Sequence, residues 1–137
     1  MLVTLQEIIG MAEKGTFCVP AFNVYNIETV MGVIEAAEEE KAPVIMQVYP
    51  RLVNEQVGYY IAPAVLAAAK KASVPVCLHL DHGPSEKEAL KMLRWGATGI
   101  MVDGSVHEYE ENVALTRRVV DICVSASAKR TSRASGA

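Results

Sequence analysis

Residues 78–83 place two imidazoles and a carboxylate within four positions, at His79, Asp81 and His82. A histidine at a strand end is a common zinc or iron ligand, and an adjacent aspartate can move protons to or from a substrate bound beside it. The alternative is structural, because Asp81 and His82 would equally serve to cap a following helix and to hydrogen-bond its loop. A period of two along a strand predicts Cys77, His79 and Asp81 on one face, with His82 starting the turn.

Polar residues also end three other apolar segments. Asn23 ends the first, Gln47 and Tyr49 end the second, and Asp103 with Ser105 ends the last. In parallel α/β folds the active site forms at the carboxyl ends of the strands, so we expect these side chains on one face of the molecule. Asp103 is also compatible with simple turn chemistry, since a glycine follows it.

The elements that must position these residues repeat as a strand followed by a helix. Apolar runs predict strands, the first of them buried on both faces, and apolar residues spaced i, i+3, i+4 and i+7 predict amphipathic helices. Strands are predicted at residues 17–24, 43–49, 74–80 and 99–102, and helices at residues 4–15, 26–37, 59–72, 85–95 and 111–123. Capping-box pairs support two helix starts, Thr4 with Glu7 and Ser85 with Glu88, and Asn26 is the candidate cap of the second helix.

Four strand-helix units in succession require a parallel sheet with right-handed crossovers, because the connections are too long for hairpins. The predicted class is α/β, with four βα units behind a short leading helix. Strand spacing of about 25 to 30 residues suits either a flavodoxin-like open sheet or half of a (βα)8 barrel. Residues 124–137 lack apolar periodicity, which predicts a disordered tail behind a domain of residues 1–123.

Composition argues against several classes of function. The chain has 137 residues, 51% of them hydrophobic and 21% charged, as expected of one globular domain. Thirteen Lys and Arg against sixteen Asp and Glu give a net charge of −3, which disfavours nucleic acid as a partner. No window approaches the roughly 18 apolar residues of a membrane span, and no signal peptide is recognisable, so a cytoplasmic location without membrane contact is expected.

Five short segments together are more specific than any single spacing. They are AFNV at residues 21–24, PVIMQ at 43–47, LHLDHG at 78–83, MVDGS at 101–105 and ENV at 111–113. In this order and spacing they closely resemble the N-terminal half of the class II, zinc-dependent fructose-bisphosphate and tagatose-bisphosphate aldolases. The resemblance runs from about residue 1 to residue 123. It implies a (βα)8 TIM barrel, of which this chain carries the N-terminal half.

The resemblance also implies a reaction and its residues. Family members cleave a ketose bisphosphate by retro-aldol reaction into dihydroxyacetone phosphate and an aldehyde, with a divalent metal, Zn²⁺, stabilising the enediolate. By position, His82 matches the first zinc-ligand histidine. Asp81 matches the aspartate that exchanges a proton with the hydroxyl of the carbon whose bond breaks. Asn23 matches a substrate-contacting asparagine, and Asp103 matches an acidic residue near an alternative metal position.

Two departures from the family pattern affect the expected function. Tyr49 and Arg51 stand where many members carry a serine after the second strand, and Arg51 would either pair with a phosphate or carboxylate or remain a solvated loop residue. The family's catalytic glutamate, two further zinc histidines and glycine-rich phosphate loops have no counterpart in these 137 residues. A catalytic zinc normally has three protein ligands, so we expect a truncated or frameshifted copy that is inactive alone.

Half of a barrel exposes two strand edges and the inner face of its sheet, which predicts self-association or pairing with a complementary half-barrel. Two functions therefore stay open from the sequence. One is an incomplete metal-dependent aldolase, and the other is a non-catalytic (βα)4 protein that binds a partner chain or a phosphorylated small molecule. A flavodoxin-like regulatory domain is disfavoured, because acidic residues are expected after its first strand and Asn23 and Tyr25 stand there instead.

Overall fold

The computed structural model describes residues 1–134, with side chains described as far as residue 127. Within that range four strands form one parallel sheet: β1 (Ala21–Asn23), β2 (Val44–Val48), β3 (Val76–Gly83) and β4 (Gly99–Val102). The helices of the same range are α1 (Leu5–Gly15), α2 (Ile27–Glu39), α3 (Pro50–Asn54), α4 (Gln56–Lys71), α5 (Glu86–Arg94) and α6 (Tyr109–Ala134). This arrangement confirms the predicted α/β class with four βα units behind a leading helix.

The strands lie in the sheet in sequence order, and all three neighbouring pairs are parallel. A flavodoxin-like sheet places its second strand outside its first, so the observed order rules out that alternative. Sequential parallel strands, each followed by a helix, are the arrangement of consecutive units in a (βα)8 barrel. The register sets Asn23 of β1, Gln47 of β2 and His79 of β3 side by side.

The alternation of side chains along the strands divides the core into two clusters. On one side, alternate residues of β2 and β3 pack against the helices in a large cluster that includes Val30, Val44, Met46, Val48, Ile61, Val65, Val76, Leu78, Leu80, Met92 and Leu115. On the other side, Ile45 and Cys77 pack with Val3 and Ile8, so α1 covers the lower part of this inner face. Full burial of a side chain such as Leu78 contributes roughly 1.5–3 kcal/mol, which holds the strand ends in fixed positions.

Three helices begin at the predicted capping residues. Thr4 and Glu7 exchange capping-box hydrogen bonds at α1. Asn26 and Thr29 exchange capping-box hydrogen bonds at α2. Ser85 caps α5 by accepting from the amide of Lys87, and its hydroxyl donates to Glu88, so the predicted box between Ser85 and Glu88 is not formed. Because the amide groups of a first helical turn have no partner within the helix, each cap fixes the point where its helix begins.

Strand β1 differs from its prediction. The sequence predicted a strand over residues 17–24 that is buried on both faces, whereas β1 contains three residues and Phe22 is 49% exposed. In the part of the chain that the structure describes, β1 lies at the sheet edge and pairs with β2 alone. An edge strand has a neighbour on one side, so its outward side chains receive less cover than those of a central strand.

The helices after β2 and β4 also differ from prediction. Helix α3 was not predicted, and α4 begins at Gln56 and carries Pro63 inside it. Helix α6 continues to Ala134, which corrects the predicted helix end at residue 123. Residues 124–134 lack the apolar periodicity of a packing face, but they include alanine, lysine and arginine, which have high helix propensity. The absence of the pattern therefore did not exclude a helix. The division into a domain of residues 1–123 and a tail stays a prediction, and residues 135–137 lie outside the described residues.

Across residues 1–134, no helix combines the length and the apolar character that a membrane crossing requires.

Candidate functional site

The polar residues of β3 lie at its carboxyl end, at the edge of the sheet where active sites form in parallel α/β folds. The register between β3 and β4 shifts between Leu80 and Gly83, and such irregularities turn a strand and redirect its side chains. His82 has a φ of 49°, in the left-handed region that is costly for residues other than glycine. His82 lies within β3, which corrects the prediction that it starts a turn. Strain of this kind is concentrated at functional sites, so the irregular end of β3 at His82 marks a candidate site.

Two side-chain amides hold the carboxylate of Asp81. Gln47 Nε2 donates to Oδ1 at 3.0 Å, and Asn23 Nδ2 donates to Oδ2 at 3.4 Å. Asp81 is only 8% exposed, so these donors replace water that the carboxylate would otherwise bind. We call Asn23, Gln47 and Asp81 the amide cradle. It joins three adjacent strands, and it brings together two of the predicted site residues, Asn23 and Asp81.

His82 and Asp103, the other two predicted site residues, pair beside the cradle. The distance from His82 Nδ1 to Asp103 Oδ2 is 2.8 Å, and His82 Nε2 lies 3.8 Å from Asp81 Oδ1. The hydrogen bond with Asp103 and the charge of Asp81 raise the pKa of His82. Hydrogen bonds from Ser105 and His82 lower the pKa of Asp103 to about 2. Asp103 is therefore ionised at neutral pH, and His82 carries more positive charge than an isolated histidine.

His79 lies deeper on the inner face, apart from this pair. It is 6% exposed, and burial lowers its pKa, so the ring is neutral at pH 7. Its Nδ1 atom has no hydrogen-bond partner among the described residues. A Cβ atom at Gly99 would stand 2.5 Å from that Nδ1, so glycine is needed there to admit the ring. The burial is that of a core histidine, whereas the Nδ1 left unpartnered within the described residues is an exception to the rule that buried polar atoms are hydrogen-bonded.

The predicted zinc site is not assembled by the described residues alone. No group of three His, Cys, Asp or Glu side chains within them is arranged to hold a metal ion. His82 fits one ligand position, since Asp103 engages Nδ1 and leaves Nε2 as the donor, an arrangement usual for metal-bound histidines. The residues present therefore fit one ligand, not the three protein ligands of a catalytic zinc.

A cavity of about 420 Å³ opens beside the amide cradle. We call it the tyrosine pocket; its lining consists of Asn23, Tyr25, Tyr49, Arg51, Leu52 and Glu55. Arg51 Nε donates to Glu55 Oε1 at 3.0 Å, and the Arg51 side chain is 80% exposed. The arginine for which the sequence left an anion partner or a solvated position open is thus a solvated residue with a carboxylate partner four positions away. Asn23 belongs to both the cradle and the pocket. Its Oδ1 atom is buried and has no hydrogen-bond partner in the described part of the chain.

Gln47 was among the polar strand-end residues that the sequence placed on this face, but the sequence pattern assigned it no role. The signal was present, because Gln47 is the one polar residue in the segment VIMQV and lies beside Asn23 in the register. Glu55 was missed for a different reason. It follows α3, a helix that was not predicted, so the sequence offered no basis for placing it next to Arg51.

The fold and the site together define the class of the protein. Consecutive parallel βα units with a polar site at the carboxyl ends of their strands are characteristic of the (βα)8-barrel enzymes. A family model described as "Fructose-bisphosphate aldolase class-II" matches residues 3–129. The chain belongs to this family, which confirms the resemblance seen in the sequence.

Similar proteins are aldolases that are longer than this chain. "Fructose-bisphosphate aldolase" of Thermus caldophilus is 43% identical over 121 residues, which cover 88% of this chain and 39% of that protein. "6-phospho-5-dehydro-2-deoxy-D-gluconate aldolase" of Halalkalibacterium halodurans is 37% identical over 122 residues, covering 87% and 42%. The crystal structure of the YdjI aldolase from Escherichia coli is 35% identical with a TM-score of 0.83, covering 89% of this chain and 48% of that one. The chain thus spans about 40% of these curated relatives and about half of the solved structure, as half of a barrel does.

Proposed function

We propose that the chain supplies the N-terminal half of a class II ketose-bisphosphate aldolase site and that catalysis requires four further βα units. The reaction is retro-aldol cleavage of fructose 1,6-bisphosphate or tagatose 1,6-bisphosphate to dihydroxyacetone phosphate and an aldehyde, a step of cytoplasmic carbohydrate metabolism such as glycolysis. Two similar aldolases carry different substrates in their names, so family membership alone does not decide the ketose.

The amide cradle is the observation that carries this proposal. Retro-aldol cleavage begins when a base removes the proton from the hydroxyl on the carbon whose C–C bond breaks. The hydroxyl then becomes the carbonyl of the aldehyde, and the electron pair of the broken bond passes to the ketone half. Asp81 suits the role of that base, because the two amides orient its oxygens and leave further lone pairs for a substrate proton.

We assign Asn23 to substrate contact, because its Oδ1 atom is a buried acceptor without a partner among the described residues. We assign His82 as a metal ligand through Nε2, with Asp103 orienting the imidazole and lying near a second metal position. Within the described residues one histidine is available where zinc needs three protein ligands. Further ligands therefore come from polypeptide outside these residues.

The open side of the sheet supports a requirement for more polypeptide. A cavity of about 750 Å³ lies between α1, β4 and α6, and apolar side chains form much of its wall: Leu5, Ile9, Ile100, Val102, Val119 and Val120. At the other edge, Phe22 and Met31 are 49% and 54% exposed. Two exposed apolar edges on one sheet favour the addition of strands. We propose that a complementary half-barrel or a second copy of the chain covers them.

The test combines the chain with the half that its relatives carry. The C-terminal half of the Thermus caldophilus protein is co-expressed with the chain, Zn²⁺ is added, and dihydroxyacetone phosphate released from each bisphosphate is measured by NADH-linked reduction. We expect no turnover from the chain alone and turnover from the pair. Asp81→Asn should lower turnover by about 10²–10⁴-fold, the contribution of a positioned acid or base. Asp121→Asn, at an exposed position of α6, is the matched control and should have no effect.

Turnover of the pair that survives Asp81→Asn would refute the assignment of the base. Stoichiometric zinc and turnover in the chain alone would refute the requirement for a second half. A stable pair without turnover under any condition would favour the alternative function, a non-catalytic (βα)4 protein that binds a partner or a phosphorylated molecule.

A further inference from the structure

The sheet ends on two strands whose outer edges are free within the described residues. There, β1 pairs with β2 alone, and β4 pairs with β3 alone. All four strands are parallel and lie in sequence order, so the next strand of a barrel beyond β4 must run in the direction of β1. A second copy of the chain can supply that strand, because a two-fold axis parallel to the strands preserves their direction.

The edge of β1 presents an aromatic ring to the outer layer of the fold. Asn23 belongs to the amide cradle on the inner face, so the alternation of side chains along a strand places Phe22 on the outer face. Phe22 is 49% exposed. In a complete barrel the helix of the preceding unit covers such a ring, but among the described residues only α1 precedes β1, and α1 packs on the inner face.

The edge of β4 presents a cavity in the same outer layer. We call the cavity of about 750 Å³ beside β4 the edge cavity; Ile100 and Val102 of β4 line it together with Val119 and Val120 of α6. Ile100 and Val102 also pack against the large apolar cluster beneath the helices, so the edge cavity opens in the layer to which Phe22 belongs. One end of the sheet therefore carries an uncovered aromatic ring, and the other end carries an apolar cavity.

The helices beside the two edges have flanks that can meet in the same way. Arg118 of α6 pairs with α5, and Val120 lies about 200° further around α6, so Val120 is on the flank away from α5. Glu38 of α2 accepts hydrogen bonds from the segment between α4 and β3, so Ala36, two residues earlier, is on the flank away from α4. Val120 is 51% exposed, and Ala36 is also exposed. A small residue such as alanine allows close approach of a neighbouring helix.

We propose that two copies of the chain close one eight-stranded barrel, in which β1 of each copy pairs with β4 of the other. Two-fold symmetry makes the two edge contacts identical, Phe22 of each copy fills the edge cavity of the other, and both strand edges are covered. A second copy is the favoured occupant because the chain itself carries both members of the contact, the ring and the cavity. The inference rests on the proposed function only in its requirement for four further βα units, and it names their source.

The mass of the 137-residue chain in solution tests this inference without any need for turnover. Sedimentation equilibrium should give twice the 14.8 kDa mass of one chain. Phe22→Glu and Val120→Glu should each raise the dissociation constant of the dimer by at least about 100-fold, tenfold for each of the two contacts that the substitution alters. Tyr60→Glu is the matched control, because it adds the same charge at a ring that is 59% exposed on α4, away from both edges.

Mixing the two variants tests whether opposite edges meet. A pair formed by one Phe22→Glu chain and one Val120→Glu chain keeps one unaltered edge contact, so the mixture should associate more tightly than either variant alone. An interface made by α6 of both copies would leave Phe22→Glu dimeric, and an interface made by β1 of both copies would leave Val120→Glu dimeric. Either of these results would overturn the inference. Both substituted side chains are exposed, and far-UV circular dichroism checks that each variant keeps its fold.

A monomer, or a series of species larger than the dimer, would also overturn the inference, because the first lacks the contact and the second shows that it does not close. Failure of the inference is separable from failure of the proposed function. If the chain is monomeric alone and is active only with the C-terminal half of the Thermus caldophilus protein, the closed dimer is refuted and the aldolase function stands. If the chain forms the dimer but shows no turnover with that half, the aldolase function is refuted and the dimer stands.

Discussion

The amide cradle leads to a quantitative prediction about the stability of the sheet end. Gln47→Leu removes the 3.0 Å hydrogen bond to Asp81 and leaves a carboxylate that is 8% exposed with the longer 3.4 Å bond from Asn23. A hydrogen bond to a charged group contributes about 1.5–3 kcal/mol. We expect Gln47→Leu to lower the free energy of unfolding by about 2 kcal/mol. Asn23→Leu should cost about 1 kcal/mol or less, because its bond is near the distance limit.

A double-mutant cycle isolates the Gln47–Asp81 interaction, since a leucine at position 47 also adds apolar burial. Urea unfolding at pH 7 is measured for Gln47→Leu, Asp81→Leu and the double variant, because leucine removes the acceptor that asparagine would keep, with the fluorescence of the single tryptophan, Trp95, as the probe. The coupling energy should be about 1.5–3 kcal/mol. Gln56→Leu, at an exposed position, is the matched control and should stay within about 0.5 kcal/mol of the unaltered chain.

A coupling energy near zero would refute the cradle as described, because it would mean that Gln47 does not hold the carboxylate. A larger loss for Asn23→Leu than for Gln47→Leu would contradict the assigned order of the two bonds. Either result would remove the geometric support for Asp81 as the base.

Three further predictions follow from the site and its surroundings. The stability that Asp103 contributes should be lost as pH falls through its lowered pKa of about 2, and the stability that His82 contributes should be lost as pH rises through its raised pKa. An NMR titration should place the pKa of His82 above 6.5, and Asp103→Asn should lower that pKa. Gly99→Ala should destabilise the chain in urea by about 1–3 kcal/mol, because the new Cβ atom meets the ring of His79, and His79→Ala should recover part of the loss. Val120→Glu on the open side should weaken self-association or pairing, as measured by light scattering.

Matched control variants separate each of these effects from a general change in stability. Asp121→Asn, at an exposed position of α6, should leave the pKa of His82 unchanged, and equal effects of Asp103→Asn and Asp121→Asn would argue against the 2.8 Å pair. Gly32→Ala should be tolerated, since no atom outside its own helix lies within 4 Å of its Cβ position, and a loss equal to that of Gly99→Ala would refute the steric argument. Tyr60→Glu alters an exposed ring on α4, so equal effects of Tyr60→Glu and Val120→Glu would argue against the open side as the interface.

Three helix starts were predictable because their causes are local, whereas the strand spacing left the strand order open and only the family resemblance favoured the barrel order. A capping side chain bonds to amides two or three residues away, so Thr4 and Asn26 identify the starts of α1 and α2 from the sequence alone. The period of two along β3 likewise predicts the face on which Asp81 lies, because it depends only on neighbouring positions of one strand. The strand ends then converge because parallel strands share one edge.

Features that depend on distant contacts were not predictable. Helix α3 has five residues, and the ties that hold it come from Glu88 and Lys91, more than thirty positions along the chain. The position of α3 decides where Arg51 and Glu55 lie, so the tyrosine pocket could not be predicted from the sequence. The exposure of Phe22 follows from the edge position of β1, which a hydrophobic run does not reveal.

The base of the proposed reaction depends on three strands of the barrel, whereas its metal site depends on ligands outside the described residues. Asn23, Gln47 and Asp81 belong to three adjacent strands, so the amide cradle is complete within the described residues. A zinc site with three protein ligands is not complete there, because His82 is the one histidine placed for it in this part of the chain. A half barrel can therefore keep the geometry of the base while lacking the metal. The double-mutant cycle between Gln47 and Asp81 should therefore give its full coupling energy in the chain alone, whereas turnover should appear only with added polypeptide.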